Sequence, residues 1–249
     1  MRICILECDR PDAEFAARHG SYAAMFMCWL GPALPEASFT VHDVTAPGPL
    51  PRPGEHDGFL VTGSRAGAYE ALDWIGPLTR LLQGLRDARV PVAGVCFGHQ
   101  IMAQAYGGRV EKSPAGWVIG RHDHRPTAAG ALIWGEAPFA CLSFHQDQVV
   151  ALPPGAEVLA ANALSPFGGL AYPFPALSVQ FHPEFLPAHV TDTFDGPDGS
   201  MVPAGVADGA RASLPGALDG ARIAAGFAQF YREHAAAPLS QAAPFSQAG

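Results

Sequence analysis

Lysine is almost absent from this chain: Lys112 is the only one in 249 residues. With 15 Lys and Arg against 23 Asp and Glu, the formal net charge is −8. Phosphate backbones are bound by clustered Lys and Arg, so a broad nucleic-acid surface is not expected. Long apolar runs are missing too; none approaches the roughly 20 residues of a membrane helix, and no membrane role is expected. The first apolar segment, Ile3 to Leu6, meets Glu7 and Asp9 at once and is too short and acidic for a signal peptide. Close Cys-x-x-Cys pairs are lacking: Cys4, Cys8, Cys28, Cys96 and Cys141 are scattered and odd in number. A disulfide scaffold is therefore not expected, and a reducing cytoplasm is. Internal repeats and a phosphate-binding glycine loop ending in Lys-Ser or Lys-Thr are also absent.

What is present is a large apolar fraction. Hydrophobic residues reach 49% and charged residues only 15%, enough for a sizeable core. Ile3–Leu6, Phe39–Val44, Phe59–Thr62 and Val90–Val95 read as strands, the last as a buried parallel one. Phe15–Leu30 reads as a helix stopped by Gly31-Pro32, and a second helix begins near Pro77 with Leu78, Leu81, Leu82 and Leu85 on one face. A third spans Ile101–Tyr106 and ends at Gly107-Gly108. This alternation predicts a doubly wound, mostly parallel α/β sheet flanked by helices. In the second half Ala131–Trp134, Cys141–Phe144, Val158–Ala160 and Leu177–Phe181 read as short strands, a small antiparallel extension. Leu186–Gly220 reads as a long surface loop, a lid, an interface or a mobile connection. Ile223, Phe227, Phe230 and Tyr231 form a helical stripe with Asp219 as its cap. One domain over 1–234 is expected, followed by a flexible Ala/Pro/Ser/Gln-rich tail at 235–249.

Chemistry concentrates at Gly94-Val95-Cys96-Phe97-Gly98-His99-Gln100. A cysteine between glycines, after a buried strand and before a helix, has the setting of a nucleophile elbow; its alternative is a buried core cysteine. The helix N-terminus favours a thiolate. The other four cysteines are expected to pack in the core. Eighty-six residues on (182 − 96), Gln180-Phe181-His182-Pro183-Glu184 offers a base and a carboxylate to orient it. Backbone N–H groups of Phe97 and Gly63 suit an oxyanion if the elbow exists; without it Thr62-Gly63-Ser64 reads as a plain turn. His122, Asp123 and His124, like Cys96 and His99, lack a tetrahedral ligand pattern, so no metal and no other cofactor is expected. His122 and His124 are expected to face solvent.

These residues resemble the class I glutamine amidotransferase family. The Gly94–Gln100 segment is similar to its nucleophile signature, Phe181-His182-Pro183-Glu184 to its His-x-Glu signature, and Thr62-Gly63-Ser64 to its oxyanion loop. Phe144-His145-Gln146-Asp147 resembles the segment lining the glutamine pocket. Within the family the chain looks most like stand-alone proteins similar to the amidotransferase domain of GMP synthase, on Thr62–Tyr69, Trp74-Ile75 and Glu111–Trp117. The resemblance implies a flavodoxin-like fold and a Cys96-His182-Glu184 triad. It implies glutamine or another γ-glutamyl small molecule as substrate, and a separate synthetase or acceptor enzyme as partner. Gln100, His145, Gln146 and Asp147 would line the substrate site. Ser64 and Arg65 replace the usual Gly-Pro pattern after Gly63, and Gln146 stands where glycine is common. Both changes add side chains to the pocket, and Arg65 either meets a substrate carboxylate or sits solvated on the surface. Glutamine hydrolysis leads; cleavage of other γ-glutamyl amides, or an inactive regulatory module, are the alternatives.

Overall fold

The computed structural model describes residues 1–114, 116–196, 199–200 and 202–235. The elements run β1 (Arg2–Glu7), α1 (Ala13–His19), α2 (Tyr22–Leu30), β2 (Ser38–Asp43), β3 (Gly58–Val61), α3 (Ile75–Asp87), β4 (Val92–Val95), α4 (Phe97–Ala105), β5 (Arg109–Lys112) and β6 (Val118–Pro126). They continue with α5 (Ala128–Trp134), β7 (Phe139–His145), β8 (Asp147–Ala151), β9 (Glu157–Ala161), β10 (Gly169–Ala171), β11 (Ala176–Val179), α6 (Pro187–Asp195), α7 (Ala204–Ser213) and α8 (Gly220–His234).

The period-2 alternation of the strands sorts side chains into two layers. Cys4, Leu6, Phe59, Val61 and Val92 face a core closed by the leucines of α3 and by Ile101 and Met102 of α4. Ile3, Ile5, Leu60, Ala93, Val95, Leu177 and Val179 face the other core, closed by Phe26 and Leu30 of α2 and by Ile223, Phe227 and Tyr231 of α8. Helices on both faces make the sheet doubly wound, as expected. Its order is β2-β1-β3-β4-β11-β10-β9-β6-β7. The β2 to β11 half is parallel and the β11 to β7 half antiparallel. A separate antiparallel pair joins β5 to β8.

Several expectations are corrected. Phe15–Leu30 is two helices, because Gly20 at φ 80° ends α1 and the Ser21 hydroxyl accepts the Ala24 N–H to start α2. Ala131–Trp134 is not a strand but the end of α5. Thr127 caps that helix by accepting the Gly130 N–H, and Gly135 at φ 76° stops it. Leu186–Gly220 is not a loop throughout. Val190 and Phe194 of α6 and Ala207 and Ala210 of α7 pack with Ile119 and Leu142 in a third apolar cluster. Asp219 precedes α8, but its carboxylate accepts the Ala140 N–H at 2.7 Å instead of capping the helix. His124 is buried against Phe139, stacked at 5.4 Å, and burial pushes its pKa down to about 3. His122 is half-buried with Nε2 at 3.2 Å from the Ile119 carbonyl oxygen. Cys4, Cys8 and Cys141 are buried as expected, whereas Cys28 is exposed on α2. Of the expected tail, 236–249 lies outside the described residues. Among those described, no helix is long and apolar enough to cross a membrane.

Candidate active site

Three neighbouring parallel strands deliver the site. Val61 of β3 pairs with Gly94 of β4, and Val95 of β4 pairs with Val179 of β11. Their carboxyl ends therefore lie together, where open α/β sheets bind ligands, and present Gly63, Cys96 and His182.

Cys96 adopts φ 54° and ψ −104°, a backbone state that costs a non-glycine residue about 1–3 kcal/mol. Its surroundings hold it there. The Cys96 N–H donates to Val179 O at 2.9 Å, the Gln100 N–H to Cys96 O at 3.1 Å and the Gly98 N–H to Thr62 O at 3.1 Å. The flanking glycines permit this close approach. A Cβ on Gly94 would lie 2.5 Å from Met102 Sδ and 2.7 Å from the Gly98 carbonyl carbon, and one on Gly98 would collide with the Val61 carbonyl oxygen. Gly98→Ala is thus expected to destabilise the fold by about 1–3 kcal/mol through overpacking against backbone. In thermal unfolding, Gly84→Ala on α3 is the control. Its Cβ would make an ordinary 3.5 Å contact to Pro53, and it should stabilise by about 0.5–1 kcal/mol.

His182 is fixed by its backbone N–H, which donates to Leu142 O at 2.7 Å. Its Nδ1 lies 2.7 Å from Glu184 Oε1, and both side chains are buried. Phe185 stacks on the imidazole, centroids 3.9 Å apart and planes 15° from parallel. Gly63 sits beside both side chains: a Cβ there would be 3.2 Å from His182 Cε1 and 3.9 Å from Cys96 Cβ. The Thr62 hydroxyl orients that turn, donating to Gly63 O at 3.0 Å while accepting the Cys8 N–H at 2.9 Å. Burial alone would lower the His182 pKa. The charges of Glu184 and Cys96, with their hydrogen bonds, reverse this and raise it to about 10.

A cavity of about 370 Å³ opens on these groups. Besides Gly63, Cys96, His182 and Glu184 it is lined by Ser64, Arg65, Gln100, His145, Gln146 and Asp147, so the structure brings together every residue expected to line the site. Phe97 differs: its ring is buried in the core against Trp74, and only its backbone N–H, at the first position of α4, is offered. The Gln100 amide donates to Asp147 O at 2.7 Å and to Gln180 Oε1 at 3.2 Å. His145 has Nδ1 at 3.0 Å from Asp147 O and is kept neutral by burial, its pKa pushed down to about 3. Asp147 hydrogen-bonds Tyr69, whose pKa burial and that bond raise to about 12. Asp147 Oδ1 is buried without a partner. Arg65 meets the second expectation: it is exposed on the surface, and it is held there by an ion pair. Its guanidinium grips Asp9 with two bonds of 2.7 and 2.8 Å, and its backbone N–H adds a third of 2.9 Å.

Sequence reasoning missed Tyr22, Met25, Glu70 and Phe185, and gave no role to Tyr69, Lys112 or Trp117; all seven line the cavity. Tyr69, Lys112 and Trp117 lay in segments that carried the resemblance, and Phe185 had the signal of adjacency to Glu184. Among the described residues no group of three His, Cys, Asp or Glu side chains could hold a metal ion. His99 is a scaffold residue, buried with Nδ1 at 2.9 Å from Ser178 Oγ.

The family described as Glutamine amidotransferase class-I matches residues 38–194. The chain belongs to the class I glutamine amidotransferase family. A glutamine amidotransferase-like protein of Schizosaccharomyces pombe is 30% identical over 195 residues, 74% of this chain and 79% of that one. Gamma-glutamyl peptidase 4 of Arabidopsis thaliana is 31% identical over 70% of this chain and 72% of its own. A glutamine-hydrolysing GMP synthase of Aromatoleum aromaticum is 34% identical over 57% of this chain, which spans only 27% of that enzyme. A solved glutamine amidotransferase of Thermotoga maritima superposes with a TM-score of 0.70 at 17% identity, covering 93% of this chain and 98% of its own. That likeness concerns the fold, a class I amidotransferase sheet.

Proposed function

We propose that residues 1–234 form one catalytic unit, a cysteine hydrolase that cleaves γ-glutamyl amides through a γ-glutamyl thioester, with glutamine as the reference substrate. The observation that carries this reading is the strained Cys96 opening on the same cavity as the buried His182–Glu184 pair. The Cys96 thiolate attacks the γ-carboxamide carbon. A C–S bond forms, and the carbonyl electrons move onto oxygen, where the Gly63 and Phe97 N–H groups receive them. As the C–N bond breaks, protonated His182 gives its proton to the departing nitrogen. Neutral His182 then takes a proton from water, which attacks the thioester. The thiolate departs, and glutamate and the thiolate–imidazolium pair result. Glu184 keeps the imidazole in one tautomer and favours its charged form. At the far end, the unpartnered Asp147 Oδ1 suits the substrate's α-ammonium.

A second reading, hydrolysis of γ-glutamyl peptides or other substituted amides, has its own support. The similarity to a gamma-glutamyl peptidase runs over 72% of that protein, and Ser64, Arg65 and Gln146 put side chains where the family pattern has small residues. Under the first reading ammonia passes to a separate acceptor enzyme; under the second it does not. Incubating the protein and Cys96→Ala with glutamine and a panel of γ-glutamyl amides, and following glutamate release, tests both. Cys96-dependent release from any of them is the expected result. Release that persists in Cys96→Ala, or none from any substrate with or without added cell extract, would defeat the hydrolase reading.

A further inference from the structure

The cavity is chemically two-ended. Beyond Cys96 on the α4 and β8 side its wall is polar: Gln100, His145, Asp147, Tyr69 and Glu70. On the His182 side it is mainly apolar. Tyr22, Met25 and Phe26 come from α2, Phe185 follows Glu184, and Trp117 and Phe144 complete the wall. Packing ties these groups to His182. Phe185 stacks on the imidazole. Helix α2 runs past the Pro183 segment, where Trp29 Nε1 donates to Gly220 O at 2.8 Å and Gly220 abuts the Pro183 carbonyl. Phe144 touches both Trp117 and Phe194 of α6, at 5.9 and 5.6 Å between centroids, and its carbonyl oxygen is 3.9 Å from Cys96 Sγ. Met25 is 5% exposed, yet it packs into none of the three apolar clusters.

The direction of the reaction assigns the two ends. The γ-glutamyl part must reach the polar groups that suit an amino acid's α-carbon substituents. The nitrogen that leaves must accept a proton from His182, so whatever that nitrogen carries lies against Tyr22, Met25 and Phe185. Ammonia has no surface with which to use such a wall. A cavity of about 370 Å³ is in the range that encloses ligands larger than a free amino acid. Of the Lys and Arg side chains that line the cavity, Arg65 is committed to Asp9 and Lys112 sits exposed at the end of β5, so a carboxylate-bearing leaving group finds no buried lysine or arginine to pair with.

We infer that the α2–Phe185 wall is a leaving-amine subsite, and that the preferred substrates are γ-glutamyl amides whose nitrogen bears an apolar, alkyl or aryl, substituent. This rests on the thioester reading above and names its substrate class. One apolar group placed in a fitted pocket is worth roughly tenfold or more in discrimination.

Calorimetric binding to the Cys96→Ala protein separates the subsite from the chemistry. γ-Glutamyl benzylamide is expected to bind about tenfold or more tighter than glutamine. In the wild type, kcat/KM should rise along the methyl, butyl and benzyl amides. Met25→Gln, or Tyr22→Ser should the first variant fail to fold, should narrow the benzylamide-to-glutamine ratio in both measurements. Glutamine binding as tightly as the benzylamide overturns the inference, as does a preference that survives both α2 substitutions. Tighter benzylamide binding with no Cys96-dependent turnover would keep the subsite and remove the thioester reading. Binding of no γ-glutamyl compound would remove both.

Discussion

Cys96→Gly is expected to abolish hydrolysis and to be more stable than Cys96→Ala, which also lacks the sulfur. Removing the attacking atom of a nucleophile–base unit lowers kcat by roughly 10⁴-fold or more. The same position is strained, with φ 54° and ψ −104°, and glycine relieves about 1–3 kcal/mol of that strain. Glycine's extra unfolded-state freedom returns about 0.5–1 kcal/mol, leaving a net gain of about 1 kcal/mol over the alanine variant. Cys96→Ala separates the two effects: it removes the sulfur but keeps a Cβ in the strained backbone, so activity vanishes without the gain. Calorimetric melting of the three proteins, beside glutamate release, reads both quantities. A Cys96→Gly protein that melts below Cys96→Ala would show that the elbow stores no strain. A Cys96→Gly protein that keeps turnover would show that the thiol is not the nucleophile.

The parallel half of the fold was legible because its strands are buried on both faces. Ile3–Leu6 and Val90–Val95 are near-continuous apolar runs, a pattern that few other structures share. The antiparallel half was less so. A four-residue apolar run such as Ala131–Trp134 fits a strand or a buried helix equally, and the deciding signals, Thr127 before it and Gly135 after it, lie outside the run. Helices α6 and α7 were hidden by Gly and Pro around them. Their small apolar faces mean nothing until Ile119 and Leu142 are there to meet them.

In the site, the motif carried the geometry. Cys96 and His182 are 86 residues apart, but each follows one of two adjacent parallel strands, so predicting that sheet places them together. Pairings between loops were not legible. Arg65 and Asp9 are 56 residues apart and meet only because β1 and β3 are neighbours with their ends in register. The apolar wall from α2 was unreadable for a similar reason. Met25 looks like any core methionine until the helix is split at Gly20 and set beside His182.

Glu184→Gln tests the electrostatic half of the site. In the wild type, burial lowers His182, but Glu184 first and then Cys96 outweigh it and hold the pKa near 10. The imidazole therefore stays protonated across neutral pH beside Cys96. Glutamine in place of Glu184 preserves shape and removes the charge, so burial regains control and the pKa falls. The sign follows: the alkaline limb of kcat/KM, set by loss of the imidazolium proton near pH 10, moves to lower pH. At a fixed pH of 8, kcat drops by about 10²–10⁴-fold. The raised pKa also stabilises the wild-type fold. That contribution is complete below the ordinary value of 6.5 and is lost as pH rises through about 10. The variant should lack this slope in denaturant titrations between those limits. Glu184→Asp keeps the charge and should recover part of both behaviours. An alkaline limb that stays in place in Glu184→Gln would mean that Glu184 only fills space beside His182. A limb that moves while Cys96 still reacts with a thiol reagent at pH 10 would place the loss on the imidazolium proton.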